Sequence, residues 1–252
     1  MVYITMLSVN IKGGLGNQLF QLAAGQTIAV QTNRSFYITT TQSPETHHST
    51  QNYFDTVFRH YKKYYQTVSS HTEISEDSYE YRTWSLNDER VCIDGYFQNY
   101  RYIRPEFIST LSLPDDTMKL DGAFLHIRGG DYVNHFLHDV GLDTYYRRAI
   151  ALFPPGTHFF IFTNDEPYAK TKQFLDTVSH SFVRSDDELI SLVRMSHCTL
   201  GGICANSTFS WWGGYLNPNR QIILPSKWFN QPNFYIEGYF FPGSTVVSTT
   251  PN

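Results

Sequence analysis
Apolar residues fall into two kinds of run along the chain. Short unbroken runs at 2–9, 123–127, 158–162, 181–184, 200–205 and 221–224 read as strands buried on both faces, with a shorter one at 92–96. Between them, apolar positions recur at helical spacing. Leu19, Leu22, Ala23, Gln26 and Ala29 share one face. Residues 145–152 form a helix that stops before Pro154-Pro155, and further helices run over 165–174, 187–195 and 208–216, the one at 187–195 with acidic residues in its first turn. Residues 40–90 are polar and weakly periodic and read as short helices and loops. Strand and helix alternate at least four times in the second half, which predicts an α/β fold with a parallel sheet covered by helices, Rossmann-like, and a ligand at the C-terminal strand ends. The strand, glycine-rich turn and helix at the start predict a second such lobe. The expected organisation is two lobes flanking a cleft, 1–119 on the acceptor side with the glycine-rich loop and 120–252 as the Rossmann-like donor-binding lobe.

Composition narrows the classes. Of 252 residues, 41% are hydrophobic and 16% aromatic, which excludes general disorder. A net charge of -4 offers no electrostatic footprint for nucleic acid or an anionic membrane. Cys92, Cys198 and Cys204 have no zinc spacing and no disulfide framework, so buried, reduced thiols are expected. No run approaches the roughly 18 apolar residues of a membrane span, and the first ten residues lack the pattern of a signal peptide. A soluble, cytoplasmic chain with no integral membrane segment is the expectation.

Four stretches carry candidate chemistry. Lys12-Gly13-Gly14-Leu15-Gly16-Asn17-Gln18 lies between a strand and a helix, where Gly14 and Gly16 let a ligand approach the backbone and Asn17 and Gln18 offer amides to phosphate or sugar oxygens. The alternative is a plain tight turn. His126-Ile127-Arg128-Gly129-Gly130-Asp131 ends a strand with His126 and Arg128 on one face, placing a guanidinium where it can reach a phosphate; a surface Arg–Asp pair is the competing reading. Thr163-Asn164-Asp165-Glu166 and Ser185-Asp186-Asp187-Glu188 read by default as helix caps. Asn206, Ser207 and Thr208 open a helix and can cradle a phosphate or cap it, ahead of Trp211-Trp212, of which at least one packs under the loop. Asn206-Ser207-Thr208 also matches the N-glycosylation sequon. There is no DxD, HExxH or GxSxG. His135 and His138, spaced to share a helix face, lack a third ligand, so no metal site is expected.

In order along the chain, the runs 13–21, 94–98, 126–133, 206–213 and 225–230 resemble the α-1,2-fucosyltransferases of glycosyltransferase family 11. The resemblance implies a GT-B-like fold and transfer of fucose, with inversion and without metal or other cofactor, from GDP-fucose to the 2-hydroxyl of a terminal β-galactoside. It implies a donor site of Gly14, Gly16, Asn17, Gln18, His126, Arg128, Asn206, Ser207 and Thr208. Arg128 meets the pyrophosphate. Asp165 and Asp187 are the carboxylates available for guanine, or helix caps. Asp131 is the nearest carboxylate for a base, or a brace for Arg128. One departure stands out: the family usually has a second arginine where this chain has Gly129. Alternatives are a related transferase using another GDP-sugar, and a homologue that binds nucleotide or glycan with little turnover.

Overall fold
The computed structural model describes residues 5–39, 53–66, 71–185, 187–217, 220–232 and 234–251. Residues 2–4 of the first expected strand, parts of the 40–90 stretch and Asp186 lie outside them. The chain divides into two compact units, Met1–Leu113 with Glu237–Tyr239, and Pro114–Ile236 with Phe240–Asn252. The sequence placed its division at 119.

The first unit is built on β1 (Met6–Asn10), β2 (Ser35–Thr39), β3 (Thr72–Ser75) and β4 (Arg90–Asp94), all parallel in the order β2-β1-β4-β3. Helix α1 (Leu15–Gln31) begins at the glycine turn and buries one long face that includes Leu19, Phe20, Leu22 and Ile28. It ends in a Schellman motif: Asn33 takes a positive φ of 52°, and the Arg34 and Asn33 amides donate to the carbonyls of Ala29 and Val30. A short helix α2 (Pro105–Thr110), with Pro105 at its start, buries Phe107. Strands β2 and β3 have no expected counterpart, the second falling in the stretch expected as short helices and loops, because their part-exposed residues break the alternation that marks a strand.

The second unit holds a six-stranded parallel sheet of β5 (Ala123–Ile127), β6 (His158–Thr163), β7 (Ser179–Phe182), β8 (Gly201–Ile203), β9 (Gln221–Pro225) and β10 (Ser244–Val247), in the order β10-β9-β8-β5-β6-β7. Helices α3 (Asp143–Ile150), α4 (Glu166–Lys170), α5 (Glu188–Ser196) and α6 (Thr208–Tyr215) connect the strands. All five residues of β5 are buried, as an unbroken apolar strand requires. Leu125 and Ile127 pack with Tyr145, Tyr146 and Ile161 in the core. Trp211 and Trp212 are both fully buried, Trp211 stacked on Tyr215 at 4.8 Å.

Three expectations need correction. The helix foreseen over 165–174 is two pieces, α4 and a 3-10 turn at Gln173–Thr177, because the Thr171 hydroxyl bonds back to the Tyr168 carbonyl and Lys172 turns extended. The strand β10 was not foreseen; its outer residues are exposed and carry no alternation. His135 and His138 lie in a loop after a 3-10 turn (Gly130–Tyr132), not on a helix. All three cysteines are free and buried. Among the described residues no helix is long and apolar enough to cross a membrane.

Candidate functional site
Each sheet reverses its strand order once. From β5 the chain runs outward through β6 and β7, then returns to the other side of β5 with β8. The loops after β5 and β8 therefore diverge and leave a crevice at their C-terminal ends, where ligands of open α/β sheets bind. Those two loops carry His126 to Asp131 and Asn206 to Thr208. In the first unit the reversal falls between β1 and β4. The loops there carry Gly14 to Gln18 and Asp94 to Gln98.

At the end of β5, His126 is 3% exposed, and its carbonyl accepts from the Tyr146 hydroxyl at 2.8 Å. Its Nδ1 is buried without a hydrogen-bond partner. Burial, reinforced by Arg128, pulls the imidazole down to about 3. Arg128 follows on the same face. Its Nη2 donates to Asp131 Oδ1 at 2.6 Å, its guanidinium carbon lies 4.8 Å from the centre of the Tyr132 ring, and its Nε is buried without a partner. Side-chain exposure is 20% for Arg128 and 53% for Asp131. A cation held from one side, with a donor left over, is arranged to receive an anion.

The turn after Arg128 is fixed from β6. Gly129 N donates to Asn164 Oδ1 at 2.9 Å, and Gly130 N to Asp165 Oδ2 at 3.1 Å. Asp165 Oδ1 meanwhile caps α4 by accepting from Tyr168 N at 3.0 Å. Asp187 caps α5, its Oδ1 accepting from Leu189 N and Ile190 N. Both carboxylates therefore do the work of caps. The Asn206 amide is spent as well: Nδ2 donates to the carbonyls of His138 and Trp228, each at 2.9 Å. Ser207 is the N-cap residue of α6 but makes no side-chain cap bond, and Thr208 is half-buried at the first helical position.

A small recess opens beside Arg128, walled by Tyr132, His138, Asp143, Lys172 and Asn206 among others. Lys172 was not among the expected residues, and nothing in its sequence neighbourhood marks it. Its Nζ is 3.0 Å from Asp143 Oδ1 and 4.3 Å from the centre of the Tyr168 ring, with the side chain 15% exposed. Burial works against its charge, but the Tyr168 hydroxyl and Asp143 outweigh it and raise the ammonium above its usual value. Burial also lowers His138, helped by His135 and Arg128.

In the first unit Gly13 takes a φ of +78°, and a side chain there would strike Asn17. Gly14 caps α1, and a Cβ on it would meet open space. Gln18 Nε2 donates to Gly13 O at 2.8 Å, while Asn17 Oδ1 accepts from Gln98 Nε2 at 2.8 Å. Gly16 is buried within α1. Lys12 pairs with Asp94 at 2.7 Å, and Asn10 Nδ2 donates to the same carboxylate at 2.6 Å. Lys12, Asp94 and Gln98 were missed as site residues. Their meeting follows only from the adjacency of β1 and β4. Among the described residues no group of His, Cys, Asp and Glu is placed to hold a metal ion.

His126 gives a pH test. Its lowered value means that the unfolded chain takes up a proton near pH 6.5 that the folded protein refuses, so stability is full above that pH and falls below it, until about 3. Unfolding free energy is expected to drop by roughly 1 kcal/mol from pH 6.5 to 5.5. Denaturant titrations at the two pH values should show this slope reduced in His126→Gln. An equal slope in the variant would assign the loss to other groups.

Residues 117–239 match Glycosyl transferase family 11. The Alpha-1,2-colitosyltransferase of Escherichia coli is similar at 24% identity, covering 90% of this chain and 94% of that protein. The O-antigen biosynthesis glycosyltransferase WbnK of Escherichia coli is 27% identical over 55% of each, so this match spans about half of that relative's length. Among solved structures, the fucosyltransferase NodZ from Bradyrhizobium aligns with a TM-score of 0.54 at 13% identity, over 85% of this chain and 94% of that one. A structure of the NodZ alpha-1,6-fucosyltransferase soaked with GDP-fucose aligns at 0.51 and 14%, over 85% and 93%. At such identities the likeness is one of fold, and the fold is GT-B-like.

Proposed function
We propose, on the match of residues 117–239 to Glycosyl transferase family 11, that the chain transfers fucose from GDP-fucose to the 2-hydroxyl of a terminal β-galactoside, with inversion and without a metal or other cofactor. The observation that carries this reading is Arg128, a braced guanidinium with a buried, unpartnered Nε, at the strand-order reversal of its sheet. In an inverting transfer the acceptor oxygen bonds to the anomeric carbon as the bond to the diphosphate oxygen breaks, GDP leaves with the electron pair, and the hydroxyl proton passes late to the departing diphosphate. Arg128 meets that growing charge, supported by backbone N–H groups at Asn206 to Thr208. His126 stays neutral and positions the nucleotide. Asp187 serves the guanine more readily than Asp165, which has both oxygens on backbone amides. Asp131 orients Arg128, and its role as base is the competing assignment. GDP-fucose and a galactose-terminated glycan are the partners, and the cytoplasm is the compartment.

Lys172 supplies the second cation in this reading. Removing its charge in Lys172→Met is expected to weaken GDP binding about tenfold or more, as for a charged hydrogen bond. Asp143→Asn, which releases Lys172 from its partner, should tighten it. Isothermal titration with GDP checks both, and a Lys172→Met protein that binds GDP like the wild type would remove Lys172 from the site.

The deciding assay offers GDP-fucose in EDTA with lactose, N-acetyllactosamine or a Galβ1,3-linked acceptor, recording GDP release and product linkage. An α-1,2-fucosylated product establishes the proposal. A second reading keeps the linkage and changes the sugar: the relative matched along nearly the whole chain is a colitosyltransferase. Product only with nucleotide-activated colitose would favour it. Absence of GDP binding would defeat both.

A further inference from the structure
Four aromatic rings continue outward from Arg128. Tyr132 stacks on His138 with centroids 4.5 Å apart and planes at 17°. His138 lies 4.7 Å from His135, which stacks on Phe136 at 4.9 Å and 24°. Phe136 is 82% exposed, more than any other large apolar side chain among the described residues. The stack thus ends in a ring with an open face.

That ring is held in place. The His135 Nδ1 accepts from the amides of Leu137 and His138, and Asn134 N donates to Asp139 Oδ2 at 2.9 Å. From the other side Asn230 N donates to the Leu137 carbonyl at 2.7 Å, and Asn230 Nδ2 to the Phe136 carbonyl at 3.4 Å. Lys227 in turn donates to Asn230 Oδ1 at 2.6 Å. An exposed aromatic ring fixed by its backbone loses little entropy when it is covered. Polar groups stand beside it: the His135 imidazole against the ring and the Asn230 amide on its carbonyl. One flat apolar face rimmed by hydrogen-bonding groups fits a sugar ring, whose C–H face and hydroxyl edge match it. It does not fit a protein surface, which would call for a wide apolar patch.

We infer that Phe136 is an acceptor subsite: its open face takes the apolar face of a pyranose ring of the galactoside, continuous through His138 and Tyr132 with the recess at Arg128. This rests on the transferase reading above and adds to it a place for the second substrate. The sequence put the acceptor on the 1–119 side, whereas Phe136 belongs to the second unit.

The test separates the substrates. Phe136→Ala and Phe136→Trp are compared with the wild type for acceptor KM and kcat with lactose, for GDP affinity by titration, and for lactose contact by saturation-transfer NMR. In Phe136→Ala acceptor KM should rise roughly threefold to tenfold, the range of an aromatic stacking contact. GDP affinity should hold, and the lactose saturation signal should fall. Phe136→Trp should keep or improve the wild-type KM. A wild type that transfers fucose, with Phe136→Ala unchanged in KM and NMR signal, overturns the subsite and leaves the transferase standing. Equal losses of GDP affinity and acceptor KM in Phe136→Ala also overturn it, since the loop would then serve the fold. If the wild type binds neither GDP nor lactose, the transferase reading and the subsite fall together.

Discussion
Arg128→Ala is expected to lower kcat/KM for transfer by two to three orders of magnitude while leaving the thermal transition nearly unchanged. Losing a donor aimed at charge that develops in the transition state typically costs about 10²–10³ in rate. The side chain is partly exposed and its partner Asp131 half-exposed, so the ion pair itself contributes little to stability. Asp131→Asn separates two roles. If Asp131 orients Arg128, the variant loses activity evenly across pH, because the amide oxygen still accepts from the guanidinium. If Asp131 is the base, the acidic limb of the rate profile disappears with it. Steady-state rates from pH 5 to 9 on both variants decide. An Arg128→Ala enzyme within tenfold of the wild type would move the leaving-group site elsewhere.

Gly129→Arg is the second large effect, and its direction is against intuition. The substitution restores the arginine that the family usually carries, yet here it should cost stability and nucleotide affinity. A Cβ at 129 would lie 2.6 Å from the Asp165 Cβ and 2.9 Å from the Tyr168 ring. The Asp165 Cβ cannot swing aside like the tip of a long chain, because its carboxylate caps α4 and holds Gly130 N. Overpacking of this kind costs typically 1–3 kcal/mol. Tyr168 is also the ring against which Lys172 rests, so displacing it disturbs the second cation. Thermal melts and GDP titration measure both effects. A variant with unchanged melting and tighter GDP binding would show that the turn yields and that the missing charge, not the space, set the wild-type affinity.

Much of the second unit was legible in the sequence. Parallel strands buried on both faces leave unbroken apolar runs, and 123–127, 158–162 and 221–224 sit within a residue of β5, β6 and β9. The glycines and polar residues that follow them mark strand ends at the sheet's reversal, so Arg128 and Asn206 were found. Of the four edge strands only β7 was. Strands β2 and β10 each pair with a single neighbour and expose part of their length, so neither shows a clean period. At the site, a residue's type was visible but its engagement was not. Asn206 reads as a ligand amide, yet both its protons go to carbonyls from distant loops. Lys172 was invisible because its position depends on α4 ending early, which a hydroxyl back-bond decides. Asp94 was quoted within a motif, but its pairing with Lys12 required the strand order.

The two bonds of Asn206 have a consequence for how this protein can be made. Asn206-Ser207-Thr208 is a sequon, and in a eukaryotic secretory pathway the nascent chain would present that amide to the glycosylation machinery before the sheet closes over it. In the native state the side chain is 2% exposed and tethers the His138 and Trp228 segments, leaving no room for a glycan. Sugar attached there would keep the β8 loop open and hold the chain in a non-native state. Material secreted from such a host would divide into an unmodified, active fraction and a glycosylated, inactive one. A host that does not glycosylate keeps the preparation in one piece.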